Sequence, residues 1–241
     1  MSALPTRVLV GRSESDAAPY LEVLRDHGVA AAALPLIRVR ALAAEPAART
    51  PLARLAEFSW ALFASRNAVE CFFAALGAHA LPPTLRCGGV GPATKAALEA
   101  HGATVACTPA AGTGEALAEI LLARGEDAAA NPVLLVAARG GRTELQRALR
   151  AAGHHVERLE LYESLPLAGP PPPAGAVVLL FSPSGCKALA ARVAEPAARR
   201  VWAIGPTTAA AAEAAGFALE RTLIDRSPDA LRAALHQAQQ A

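Results

Sequence analysis

LRCGGVGPATKAALEAHGATV (85–105) returns later in the chain as VWAIGPTTAAAAEAAGFALE (201–220). Gly91 matches Gly205 and Gly102 matches Gly216, both at a separation of 114 residues. The likeness extends outward from there. VLVGRSESDAAPYLEVLRDHGVAAAALPLI (8–37) resembles VLLVAARGGRTELQRALRAAGHHVERLELY (133–162), and ALFASRNAVECF (61–72) resembles VLLFSPSGCKAL (178–189). TGEALAEIL (113–121) echoes SPDALRAAL (227–235). Units that recur in one order, in halves of about 120 residues, are too long for a solenoid and mark a duplicated domain.

Each recurring unit reads as strand, turn and helix. Short apolar runs at Arg7–Val10, Trp60–Phe63, Val133–Val136, Val177–Phe181 and Val201–Ile204 alternate with helical patterns. That alternation predicts parallel βαβ units in an open, doubly wound α/β sheet. Gly28, Gly102, Gly153 and Gly216 follow helical patterns as left-handed caps, while Pro92 and Pro206 stand where a first helical turn begins.

Two segments read as linkers, Ala43–Pro51 (AAEPAARTP) and the proline-rich Leu165–Gly175 (LPLAGPPPPAG). If both cross one gap, residues 42–164 form a domain inserted into a discontinuous one made of 1–39 plus 168–241. The alternative is two sequential domains cut near Glu126, where only Gly125 and Asn131–Pro132 mark a boundary. The long proline run favours insertion.

Composition narrows the function classes. The chain of 241 residues carries 23 basic and 21 acidic side chains, a net charge of +2, in no long run of one sign. Neither a nucleic-acid partner nor a polybasic membrane patch is expected, so an anionic ligand must be met by local groups. MSALPTR is no secretion signal and no stretch approaches about 18 apolar residues, so a soluble cytoplasmic protein with no membrane partner is expected. With few aromatics and no apolar surface stripe, it is expected to be a monomer. Cys71, Cys87, Cys107 and Cys186 have no ligand-like spacing and read as reduced, mostly buried small hydrophobes, with no metal site. GGVGPAT (88–94) has Thr94 where a dinucleotide fingerprint needs its third glycine, and no Walker, GxSxG or HExxH sequence occurs.

Ligands of open α/β sheets bind beyond the C-terminal ends of the strands, where helix N-termini offer free amides. Ser65, Thr94, Ser182, Ser184, Thr207 and Thr208 each follow an apparent strand, either as N-caps or as hydroxyls for an anion. Arg12 and Arg139 hold matching places after the first strand of each half, and Arg66 and Arg142 lie at similar turns, suited to carboxylate or phosphate oxygens. The six histidines read as structural, His27 and His101 each preceding a capping glycine. Of the two tyrosines, Tyr20 lies within the first helix as packing. Tyr162 closes a strand (VERLELYESLP) where a phenol, protonated below about pH 10, packs or donates a proton.

The order GRSES, LPLIRV, FASRNAV, GVGPAT, the Arg139–Gly140 turn, ELYES, LFSPSG and IGPTTA resembles uroporphyrinogen-III synthase from end to end. The resemblance implies two flavodoxin-like domains joined by a two-segment connection, with a cleft between them. It implies a cofactor-independent lyase that closes hydroxymethylbilane, a carboxylate-rich linear tetrapyrrole, into uroporphyrinogen III with inversion of the last ring. The substrate would come from hydroxymethylbilane synthase by transient handover. In that chemistry hydroxide departs to leave an azafulvene, a spiro intermediate forms, and rearrangement closes the ring. Tyr162 is then the candidate acid, and Arg12, Ser65, Thr94, Arg139, Ser182, Ser184, Thr207 and Thr208 are candidates to grip carboxylates. Ala64 and Arg66 depart from the threonine and proline usual in the family, as GRSES does from its threonine-arginine-proline. A bilobed, non-catalytic binding protein for an anionic metabolite is the rival reading.

Overall fold

The computed structural model describes residues 4–43, 45–125, 132–224 and 226–240. Glu126 and Asn131, where the sequential cut would fall, lie outside them. The chain forms two compact units, one of Met1–Arg38 with Leu165–Ala241 and one of Val39–Ser164.

Unit 1 holds a five-stranded sheet of β1 (Arg7–Val10), β2 (Ala30–Ala33), β9 (Val177–Leu180), β10 (Arg200–Ile204) and β11 (Ala218–Leu223), in the order β2-β1-β9-β10-β11. Unit 2 holds β4 (Trp60–Phe63), β5 (Arg86–Gly89), β6 (Val105–Cys107), β7 (Val133–Ala138) and β8 (Val156–Pro166), in the order β8-β7-β4-β5-β6. All these pairings are parallel. Both sheets follow the flavodoxin-like order 2-1-3-4-5 once the repeated blocks are matched, β1 with β7 and β9 with β4. The repeats are therefore interleaved. Block 8–37 of the first repeat pairs with 178–220 of the second, and 61–105 of the first with 133–162 of the second.

The connection between the units is double. β3 (Ile37–Ala41) lies beside β8 at the edge of the second sheet. Leu42 N–H donates to the Leu161 carbonyl at 2.8 Å and Leu167 N–H to the Leu36 carbonyl at 2.9 Å, so the two segments run antiparallel. The linkers expected from the sequence are more ordered than that reading allowed. Residues Pro46–Ala53 form helix α2, with Pro46 in its first turn, where a missing N–H costs nothing. β8 continues to Pro166. The proline run after it is held by Arg199, which donates to the Pro172 carbonyl at 3.0 Å.

Strand residues alternate between two buried faces. In unit 2, Ala61, Phe63, Leu134 and Val136 pack with α3 (Arg66–Leu76) and α4 (Pro92–Ala100). Trp60, Leu62, Val133 and Leu135 face α5 (Gly114–Leu122) and α6 (Glu144–Ala151). In unit 1, Val8, Val10, Val177 and Leu179 pack with α1 (Glu14–Asp26) and α9 (Pro228–Gln240), and Leu9, Val178 and Leu180 with α7 (Pro183–Ala190) and α8 (Pro206–Ala214). Each fully buried Leu or Phe contributes about 1.5–3 kcal/mol, which explains why runs that are apolar throughout form these strands. The helices after neighbouring strands β1 and β9 cover opposite faces, as do those after β7 and β4. Each sheet thus has a switch point at which loops part and a ligand finds room.

Candidate functional site

The C-terminal ends of β4, β7 and β8 bring together the first group of candidates. Ser65 caps α3, its Oγ accepting the Ala68 N–H at 3.1 Å. The same oxygen lies 2.7 Å from the phenol oxygen of Tyr162. Tyr162 stands on β8 in register with Ala138 of β7, and β7 lies between β8 and β4, so the phenol reaches across the middle strand. The strand runs four residues beyond it, to Pro166, so Tyr162 does not close the strand as the sequence suggested. Only 5% of its surface is exposed, and burial pushes the phenol's pKa up, an effect partly offset by the bond to Ser65. The phenol is therefore protonated at neutral pH.

Arg139 stands where the sequence places it, directly after β7. It lies at the end of β7, and its N–H donates to the Tyr162 carbonyl at 2.7 Å. Its guanidinium, however, pairs with Glu45 and lies 3.6 Å from Glu160. The arginine holds the Glu45 carboxyl below its usual range and is itself held protonated. Its charge faces these two carboxylates of the same unit. Arg158, which the sequence reading did not single out, binds the turn after β7: it donates to the carbonyls of Ala138 at 2.7 Å, Arg142 at 3.1 Å and Gly141 at 3.3 Å.

The duplicated glycine turns carry the threonines. Thr94 and Thr208 both sit in the first turn of their helices, with 4% and 2% of their surfaces exposed. A Cβ on Gly89 would lie 3.0 Å from the Thr94 methyl, so this glycine-rich run serves close packing. Burial turns both threonines toward the protein, and Thr207 is the exposed member of the set. Gly91 caps α4 at φ −164°, an extended conformation, whereas Gly205 caps α8 at φ 74°, which favours glycine.

Unit 1 gathers its candidates at its own switch point. Ser182 caps α7 by accepting the Gly185 N–H at 3.2 Å, and its Oγ lies 3.0 Å from that of Ser184. Arg12, just after β1, lies over the Phe181 ring at 4.7 Å and 3.6 Å from Asp16. Tyr20 is more than packing, for its buried hydroxyl donates to the Arg226 carbonyl. Arg226 in turn donates to the Phe181 carbonyl at 3.3 Å. Neither tie was legible, since the partners are far apart in sequence.

Cys87, Cys107 and Cys186 are buried and Cys71 half-buried, and none is in a disulfide. Among the described residues no cluster of three His, Cys, Asp or Glu is arranged to hold a metal ion, and no helix is long and apolar enough to cross a membrane. A hollow of about 640 Å³ lined by Glu70, Phe73, His79 and His101 lies at the end of α3 far from Ser65, and no expected site residue lines it.

This arrangement has relatives. Residues 18–230 match the family model described as uroporphyrinogen-III synthase HemD. A mutant uroporphyrinogen III synthase from the extreme thermophile Thermus thermophilus superposes at TM-score 0.65 and 19% identity, over 98% of this chain and 99% of that one. Uroporphyrinogen-III synthetase from Helicobacter pylori does so at 0.67 and 18%, over 96% and 99%. At such identities the likeness speaks for the fold alone. No curated protein matches the sequence significantly. It is the family model, covering most of the chain, that makes this protein a member of the uroporphyrinogen-III synthase HemD family of tetrapyrrole biosynthesis.

Proposed function

We propose that the chain closes hydroxymethylbilane into uroporphyrinogen III, with Tyr162 as the proton source for departure of the terminal hydroxyl. The observation that carries this reading is the 2.7 Å bond between the Tyr162 phenol and Ser65 Oγ at the C-terminal ends of the strands. If Tyr162 donates into Ser65, which already accepts the Ala68 N–H, the serine's own hydrogen is left to reach outward. Ser65 is the more exposed of the two. A proton then passes from Ser65 to the leaving hydroxyl and from Tyr162 to Ser65, and water departs.

The pyrrole nitrogen supplies the electron pair that expels the hydroxyl and leaves an azafulvene. The substituted carbon of the far ring attacks it to form the spiro intermediate, its original bond to the neighbouring bridge breaks and re-forms at the free α-carbon, and loss of that carbon's proton restores the ring and, through Ser65, reprotonates Tyr162. Substrate and product differ by one water, so the lyase step as written consumes no electron carrier. Free closure joins the ends without inversion, so the protein's task is to hold the chain in the spiro-forming pose, and positioning of this kind is worth several kcal/mol.

In this reading Ser65 in unit 2 and Arg12, Ser182, Ser184 and Thr207 in unit 1 hold carboxylates with the helix N-terminal amides beside them. Thr94 and Thr208 shape the two glycine turns from their buried positions. The protein acts as a cytoplasmic monomer and receives its labile substrate from hydroxymethylbilane synthase.

Tyr162→Phe tests the acid role. It should lower kcat about tenfold or more while KM moves less, the mark of an interaction made in the transition state. Unchanged turnover would remove Tyr162 from the chemistry.

A further inference from the structure

Side chains of a strand alternate between its faces, yet Leu161 and Tyr162, neighbours on β8, both pack in the core beneath α3 and α4. A shift of register is the cause. β7 and β8 pair residue for residue from Val133 with Val156 to Ala137 with Glu160, and the next pair is Ala138 with Tyr162. Leu161 is therefore the extra residue of a β-bulge, a device that re-aims a side chain. Val156 packs on the opposite face with Trp60 and Leu135, and alternation puts Arg158 and Glu160 there too. Without the bulge Tyr162 would follow them. With it, the phenol turns to the α3 face and meets Ser65 Oγ at 2.7 Å.

A bulge leaves backbone groups out of the ladder, and these must be met elsewhere. Arg158 reaches the turn that begins there. Its Nη2 donates to the Ala138 carbonyl at 2.7 Å and the Gly141 carbonyl at 3.3 Å, its Nη1 to the Arg142 carbonyl at 3.1 Å, and its Nε to Glu160 Oε1 at 3.1 Å. The Ala138 carbonyl also accepts the Gly141 N–H at 3.0 Å, which fills both of its lone pairs. From the same turn the Arg139 N–H donates to the Tyr162 carbonyl at 2.7 Å. The Arg158 side chain is 13% exposed and closely fitted, for a Cβ on Gly141 would lie 3.3 Å from Nη2 and 3.0 Å from the Ala138 oxygen. One planar fork thus ties β8 to the turn that carries the partner of Tyr162, a span that a point charge does not cover. Burial raises the Tyr162 pKa, while the bond to Ser65 and the charge of Arg158 oppose that rise.

We propose that Arg158 is a positioning residue for the proton source: by holding the turn after β7 it fixes the bulge at Leu161 and so aims Tyr162 at Ser65, an inference resting on the synthase reading above. Arg158 does not touch the substrate. Its charge is met by Glu160 and the three carbonyls, and it acts on the reaction through Tyr162.

The test joins two readouts on the full chain, steady-state kinetics of isomer III formation from hydroxymethylbilane and ultraviolet difference titration of the phenol, with thermal melts of each variant. The titration uses a Tyr20→Phe background, in which Tyr162 is the one tyrosine left. Arg158→Gln should lower kcat about fivefold to tenfold with KM within about twofold of the parent, because the proton transfer is impaired and the grip on the substrate is not. In the same variant the Tyr162 pKa should move further up, a change that a merely structural role would not produce. Arg158→Lys, which keeps the charge but not the fork, should show both effects at smaller size, with kcat down about threefold. If the glutamine variant does not fold, the lysine variant decides alone. A parental kcat in either folded variant would overturn the proposal, and so would a loss of kcat with Tyr162 titrating as in the parent. Failure of the unmodified chain to make isomer III would instead sink the synthase reading, and the titration, which needs no substrate, would still decide whether Arg158 sets Tyr162.

Discussion

Ser65 and Tyr162, 97 residues apart in sequence, meet at 2.7 Å between Oγ and the phenol oxygen with β7 lying between their strands. Ser65 also caps α3 through the Ala68 N–H, so one oxygen serves both helix and phenol. Ser65→Ala should therefore cost about 1 kcal/mol through the lost cap and lower the melting point by roughly 2–4 °C. It should also push the Tyr162 pKa further up, because the Ser65 bond is what offsets burial. Ultraviolet difference titration reads that shift, and Ser65→Thr, which keeps the hydroxyl, should reverse both effects.

Arg139 faces two carboxylates, Glu45 and Glu160, on an exposed surface. Exposed pairs contribute little, so Arg139→Gln should leave stability within about 1 kcal/mol and KM within about twofold of the parent. Kinetics decide the point. A KM raised tenfold would return Arg139 to the substrate contacts.

The duplicated caps respond differently to the same change. Gly205 has φ 74° and ψ 162° with open space where a Cβ would stand, so Gly205→Ala should cost about 1–3 kcal/mol of conformational strain alone. Gly91 has φ −164°, and an added Cβ would meet only the Gly112 Cα at 3.4 Å. Denaturant titration should show Gly91→Ala to be milder than Gly205→Ala. Equal losses would contradict the geometry.

Burial pushes the thiols of Cys87 and Cys186 up from 9.0 to about 11. In the unfolded chain these groups shed protons near pH 9 while the folded chain keeps them. Their contribution is then fully present below pH 9 and is lost as pH rises through about 11. Denaturation midpoints measured across this range should fall, by about 2 kcal/mol for Cys87, and Cys87→Ala should flatten the decline.

The central strands β4, β7 and β9 were legible because each is apolar throughout, and helix starts at Pro92 and Pro206 fell where the sequence put them. Gly28, Gly102, Gly153 and Gly216 adopt the left-handed conformation expected of them. Helix α2 escaped notice because Pro46 and Pro51 read as linker punctuation, although the first proline serves as a helix start. Tyr162 and Ser65 were each visible as types at strand ends. Their contact was not, because it depends on the parallel register that sets Ala138 beside Tyr162. The pairing of Arg139 with Glu45 was hidden for the same reason, the two being 94 residues apart. Long-range pairing thus decides which polar residues stay available to a ligand, and local pattern does not carry it.

The most direct test of the synthase reading is the isomer composition of the product. Purified protein is added to freshly generated hydroxymethylbilane, the products are oxidised to porphyrins, and isomers I and III are separated by chromatography. The account predicts isomer III in large excess, formed faster than spontaneous closure and without an added cofactor. Isomer I alone, at the rate seen without protein, would contradict it and leave a binding protein for an anionic metabolite as the better description.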